Sequence, residues 1–153
     1  MIVPALPCHV CQMLVVGVRE ADRQEILASS GKSPEDALPY SLAISTKAWV
    51  LLDKGVACGM WGIAPWPHSP ALGIPWLLAT STFDRHHNRR ELLRHTRHYV
   101  EEMGKGFQFL INYTDVRHRE SHRWLQWAGF KLDDFEPRFG HGQRPFYRFS
   151  KET

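Results

Sequence analysis

The residues best able to do chemistry in this 153-residue chain fall in two places. The first is the run Asp84-Arg-His-His-Asn-Arg-Arg90, preceded by Thr80-Ser-Thr82. Arg85, His86, His87, Arg89 and Arg90 crowd the start of a predicted helix, where the dipole disfavours positive charge. A bound phosphate would turn that conflict into attraction, through free helix-start amides and guanidinium forks. A solvated loop with screened charges is the alternative. The second place is His118 with Ser121, at a predicted helix start. His118 is the best-matched general base by its unperturbed pKa of about 6.5, and Asp84 is the nearest carboxylate to the basic run.

Other groupings are weaker. His95, His98 and Glu102 share a helix face, and Cys8-His-Val-Cys11 has a CxxC spacing. Structural zinc wants a second pair that Cys58 alone does not supply, so no metal is expected. A redox CxxC opens a helix after a strand, whereas this one is read as preceding a strand. Arg89, Arg90, Arg94, Arg97, Arg117, Arg119 and Arg123 could line one basic surface. Without a recognised nucleic-acid module, and with a net charge of only +3, they read as a solvated face. Trp66, between prolines, is the tryptophan most suited to touching something outside the chain.

These groups need elements to hold them. Met13–Val18 reads as a buried first strand, Arg19–Ser30 as a helix closed by Gly31, and Ser33 as the N-cap of a helix that kinks or restarts at Pro39. Ala48–Asp53 and Val56–Ala64 read as a hairpin around Asp53-Lys-Gly55. Pro65–Pro70 reads as a loop. Ile74–Thr82 reads as the next strand, and Asn88–Met103 as an amphipathic helix with Asn88 and Glu91 as a capping box. Phe107–Asn112 is the parallel strand of a right-handed βαβ unit. A helix over Arg117–Ala128, stopped by Gly129-Phe130, and a closing hairpin complete the chain. Ligands in such sheets settle beyond the strands' carboxyl ends, near Thr80–Asn88 and Asn112–His118.

Length and composition fit one domain over residues 1–153, 43% hydrophobic and 23% charged. Three cysteines and no signal-peptide pattern point to a reducing compartment, and no apolar run spans a bilayer.

The element order, with Val18-Arg-Glu-Ala-Asp22, Trp76-Leu-Leu-Ala-Thr80 and Ser121-His-Arg-Trp-Leu-Gln-Trp-Ala-Gly-Phe130, resembles the GNAT superfamily of N-acetyltransferases. Within it the chain looks most like the bacteriophage proteins related to internal virion protein A. The resemblance implies an α/β (α+β) fold, order β-α-α-β-β-β-α-β-α-β-β, with a mixed, mainly antiparallel sheet. That sheet would splay between the Ile74 and Phe107 strands, past Thr80 and Asn112. It implies an acetyl-CoA or other acyl-CoA ligand, with the pantetheine arm on Leu78, Ala79 and Thr80 and the diphosphate on Arg85, Asn88, Arg89 and Arg90. His118, Ser121 and Asp84 would be the catalytic candidates. His87 and Arg89 stand where the family has glycines, and Leu125 and His118 where it often has tyrosine and asparagine. The resemblance therefore implies a degenerate acyl-CoA loop. It points to a virion-associated, assembly or host-interaction protein in the host cytoplasm or the virion, with phage structural or host proteins as partners. An active acetyl-CoA-dependent N-acetyltransferase is the alternative.

Overall fold

The computed structural model describes residues 1–153. Its elements are β1 (Ile2–Pro4), α1 (Pro7–Val16), α2 (Glu20–Ser30), α3 (Pro34–Ile44), β2 (Lys47–Asp53), β3 (Val56–Trp66) and β4 (Ser69–Ala79). A 3-10 turn (Ser81–Asp84) leads into α4 (His86–Gly104), β5 (Phe109–Asp115), α5 (Arg119–Trp127), β6 (Lys131–Phe139) and β7 (Arg144–Glu152). All seven strands form one sheet, ordered β1-β2-β3-β4-β5-β7-β6. Every pairing is antiparallel except β4 with β5, so the expected α/β class and mixed sheet hold. No helix is long and apolar enough to cross a membrane.

Several local signals act as their chemistry dictates. Lys54 and Gly55 both take positive φ, the geometry a two-residue hairpin turn needs. Ser33 accepts a hydrogen bond from the Asp36 amide, capping α3. Gly129 takes φ +100°, and the Phe130 amide turns back to the Leu125 carbonyl while its ring is buried.

Four expectations are corrected. Met13–Val16 is the end of α1, not a strand, because Ile2–Pro4 already occupies the edge of β2. Val10 and Met13 then face the sheet at helical spacing while Val15 is 88% exposed. Pro65–Pro70 is mostly strand: β3 runs through Pro65 and Trp66, with a register shift there, and β4 begins at Ser69. α3 runs through Pro39 as one helix, without a restart. Asn88 caps nothing, since α4 begins earlier, at His86. Its buried amide instead donates to Asp53 Oδ2 and the Thr82 carbonyl.

The decisive joint lies between β4 and β5. They pair only at Leu72–Phe109 and Gly73–Leu110, then separate. The parting therefore begins well before Thr80 and Asn112. Pro75 stands at the next position of β4 whose N–H would face β5, and proline has none to give. β5 continues paired with β7 from Phe109 to Asp115, so it is β4 that loses a neighbour. The Asn112 side chain reaches across the gap to the Pro75 carbonyl at 2.8 Å.

Candidate functional site

The parting of β4 and β5 leaves a cavity of about 520 Å³, within the range of small-molecule sites. α2 and α3 wall it on one face of the sheet, α4 and α5 on the other. Two buried polar atoms among its lining residues have no hydrogen-bond partner: Trp61 Nε1 and Thr114 Oγ1. Both residues are only 2% exposed. An unpaired buried group costs about 1–3 kcal/mol, so a ligand bearing an acceptor and a donor would relieve both.

The titratable pair in the cavity wall is Glu25 with His118. Asp22, Glu25, Ile26 and Ser29 recur at helical spacing along α2 and face the cavity together. His118 Nδ1 lies 2.8 Å from Glu25 Oε2, joining α2 to the start of α5. Burial raises the Glu25 carboxyl above its ordinary range, against the lowering effect of His118. The hydrogen bond to Glu25 raises the His118 imidazole. Both members of the pair thus hold a proton more tightly than they would in water, and Glu25 faces the cavity from α2 as a carboxylate that can accept one.

These shifts have a consequence for stability. A raised histidine holds its proton more tightly folded than unfolded, so its contribution is complete below about pH 6.5 and is lost as pH climbs through the raised value. The melting temperature should thus decline with rising pH above about 6.5, and His118→Asn should flatten that decline. An unchanged slope in the variant would assign the decline to other groups.

The structure brings His118 and Ser121 to the cavity but leaves Asp84 outside its lining. Asp84 instead bridges Arg19 Nη1 at 3.1 Å and Arg89 Nη2 at 2.9 Å. Glu120 takes Arg89 from the other side, at 2.7 and 3.2 Å. With the Asp22–Arg19 pair, this makes an alternating ladder, Asp22–Arg19–Asp84–Arg89–Glu120, across the cavity mouth. Hydrogen bonds from Arg89 lower Glu120; those from Arg89 and Arg19 outweigh burial at Asp84 and lower it too. Arg85 and His87 both turn to Asp53. Arg90 is exposed. Arg85, His87 and Arg89 of the basic loop are thus engaged by Asp84 of the same run and by Asp53 and Glu120 from distant parts of the chain.

The backbone edge offered to a ligand is also shifted. The Thr80 amide bonds to the Cys58 carbonyl, so by strand alternation Leu78 also faces β3. The Ala79 amide and carbonyl face the gap, but Asp22 Oδ2 accepts from the first and the Arg19 amide donates to the second. Leu77 is next on that edge, where β5 has already left the ladder. Sequence reasoning missed Leu77 and Glu25; their signals were Pro75 in mid-strand and a carboxylate on the inner face of α2.

The remaining candidates resolve simply. No three His, Cys, Asp or Glu side chains converge to hold a metal. Glu102 bonds Lys105 at 2.6 Å. Cys8 and Cys11 lie in the early turns of α1 and are exposed, so this CxxC does open a helix after a strand, contrary to expectation. Trp66 Nε1 donates to the Ile111 carbonyl at 3.0 Å, stapling β3 to β5. Arg97 stacks over the Trp127 ring, and Arg117 bonds Asp115.

No protein-family model and no curated protein matches the sequence. Solved structures do match in shape. A ribosomal-protein-alanine N-acetyltransferase from Brucella melitensis superposes with a TM-score of 0.73 at 14% identity, over 100% of this chain and 99% of that one. A GCN5-related N-acetyltransferase from Kribbella flavida gives 0.72 at 14% identity, over 100% and 97%. An N-acetyltransferase from Staphylococcus aureus Mu50 gives 0.71 at 14% identity, over 99% and 97%. The chain has the GNAT fold.

Proposed function

We propose that this protein binds an acyl-CoA thioester in the parting of β4 and β5 and transfers the acyl group to an amine. The observation that carries the reading is the convergence on one cavity of a carboxylate–imidazole pair, an unpaired strand edge and two polar atoms lacking partners. The Leu77 amide would hold the thioester carbonyl oxygen, where negative charge grows during attack. Glu25 would take the proton from the ammonium, held in place by His118. The freed amine nitrogen then bonds to the carbonyl carbon, the C–S bond breaks, and the proton that the nitrogen sheds passes through Ser121 or water to the leaving thiolate. Arg89, once released from Glu120, and Arg90 with the helix-start amides of α4 would meet the diphosphate. Asn88, tied to Asp53, would hold that loop in shape.

One observation favours a second reading. Asp53, Asp84 and Glu120 already occupy Arg85 and Arg89. On that reading the chain is a bacteriophage protein akin to internal virion protein A, with a degenerate acyl-CoA loop. It would act in assembly or on a host protein, in the host cytoplasm or carried in the virion.

Thermal unfolding with acetyl-CoA and desulfo-CoA separates the two. A native-state binder stabilises by about 2.7 kcal/mol at a hundredfold excess over Kd. For a chain of this size that is a rise of roughly 5–11 °C. No rise with either ligand at millimolar concentration would move the function to the second reading.

A further inference from the structure

The cavity does not end where a thioester would sit. Trp61 lies opposite Leu77 in the β3–β4 register, and the Tyr99 ring packs 5.4 Å from Trp61, so Tyr99 marks the level of Leu77 on α4. Lys47 is aligned through Ile63 with Pro75, and its Nζ donates to the Glu102 carbonyl, so Met103 lies near the level of Pro75. Cavity lining continues past Tyr99 to Val100 and Met103, faced by Leu125, Phe130 and Phe149. Strand rise makes this extension about 7 Å to Pro75, the last β4 residue of the lining, and the strands rejoin beyond it at Gly73. All five of those side chains are apolar and nearly buried.

The extension has a floor and an end. The Asn112–Pro75 hydrogen bond closes the sheet plane beneath it. At Gly73 a Cβ would lie 2.8 Å from Ile63 Cδ1 and 3.1 Å from Leu110 Cδ2, so the strands meet there without spare room. An acetyl group would leave this space unfilled, and water there would find apolar side walls above the already bonded Asn112 amide.

We infer that the acyl donor is a medium-chain acyl-CoA, its hydrocarbon tail lying under α4 between Tyr99 and Met103. This rests on the acyl-CoA reading above and adds the length of the acyl group. The chain is chosen by volume and apolar contact, while the thioester is held at Leu77 whatever its length.

The test is isothermal titration of the intact protein with CoA, acetyl-CoA, butyryl-CoA, octanoyl-CoA and palmitoyl-CoA. Affinity should climb from acetyl to octanoyl by up to about fourfold per methylene, reaching at least roughly a hundredfold in total. Palmitoyl-CoA should gain nothing further, because the closed end at Gly73 stops the tail. In Val100→Phe the octanoyl-to-acetyl affinity ratio should fall toward one, and if that variant does not fold the wild-type series decides alone. Octanoyl-CoA binding no tighter than acetyl-CoA, with both binding, overturns the chain-length inference and leaves the acyl-CoA reading standing. Failure of every thioester and of CoA itself overturns both.

Discussion

Glu25→Gln is expected to reduce acyl transfer by about 10²–10⁴-fold, the usual loss when a positioned general base is removed. The amide keeps the shape of the side chain but cannot accept the ammonium proton. Donor affinity should be unaltered, since Glu25 reaches the cavity from α2 while the expected donor contacts are Leu77 and the start of α4. Steady-state kinetics in the variant therefore should show the loss in kcat. The pH profile gives a second readout. Transfer requires Glu25 ionised, and burial raises its carboxyl, so the rising limb in the wild type should stand above the ordinary glutamate range. His118 opposes that rise, so His118→Asn should move the limb to still higher pH. A Glu25→Gln enzyme within twofold of wild type would remove Glu25 from the reaction.

Asp22→Ala should cost about 3–5 kcal/mol of stability, because it strands a partly buried guanidinium and a backbone amide at once. Asp22 is 4% exposed and accepts from Arg19 Nε, Arg19 Nη2 and the Ala79 amide. No other side chain ties the start of α2 to the end of β4 in this way, and Val18 bridges Thr80 beside it. At roughly 2–4 °C per kcal/mol for a chain of this size, the melting temperature should fall by about 6–20 °C. Asp22→Asn should fall in between, since its amide oxygen can still accept from Ala79. A shift under about 2 °C for alanine would mean that water replaces the carboxylate without cost, far below the loss expected when one partner of a buried ion pair is removed.

What the sequence disclosed was local chemistry. Gly31, Gly129-Phe130 and Asp53-Lys-Gly55 announce helix ends and a hairpin turn because each needs a backbone state few residues adopt. The stripe through Leu92, Leu93, Thr96, Tyr99, Val100 and Met103 shows the inner face of α4 by its period, though Leu93 lies at its margin and is exposed. Met13–Val18 misleads because strand preference depends on a free edge, and Ile2–Pro4 had already taken it. The site was half legible. His118 and Ser121 reach the cavity, but Glu25 lies 93 positions from His118, and Arg89 lies 31 from Glu120. Arg19 and Asp84 are separated by 65. Partners so far apart are joined only by the fold, which is why a loop rich in arginine looked open for a phosphate and is instead satisfied from within. Pro75 was the readable sign left unread: a proline in a central strand marks where a neighbour must depart.

The ladder of acids and bases across the mouth has a consequence for kinetics. Two arginines alternate with three carboxylates, so the ladder itself casts no net positive field into solution. A polyanion approaching from beyond a Debye length, about 8 Å in physiological salt, feels no pull from this ladder. Encounter should proceed at the unsteered pace of neutral partners and respond little to ionic strength, with discrimination arising only once the visitor displaces Glu120 by direct exchange.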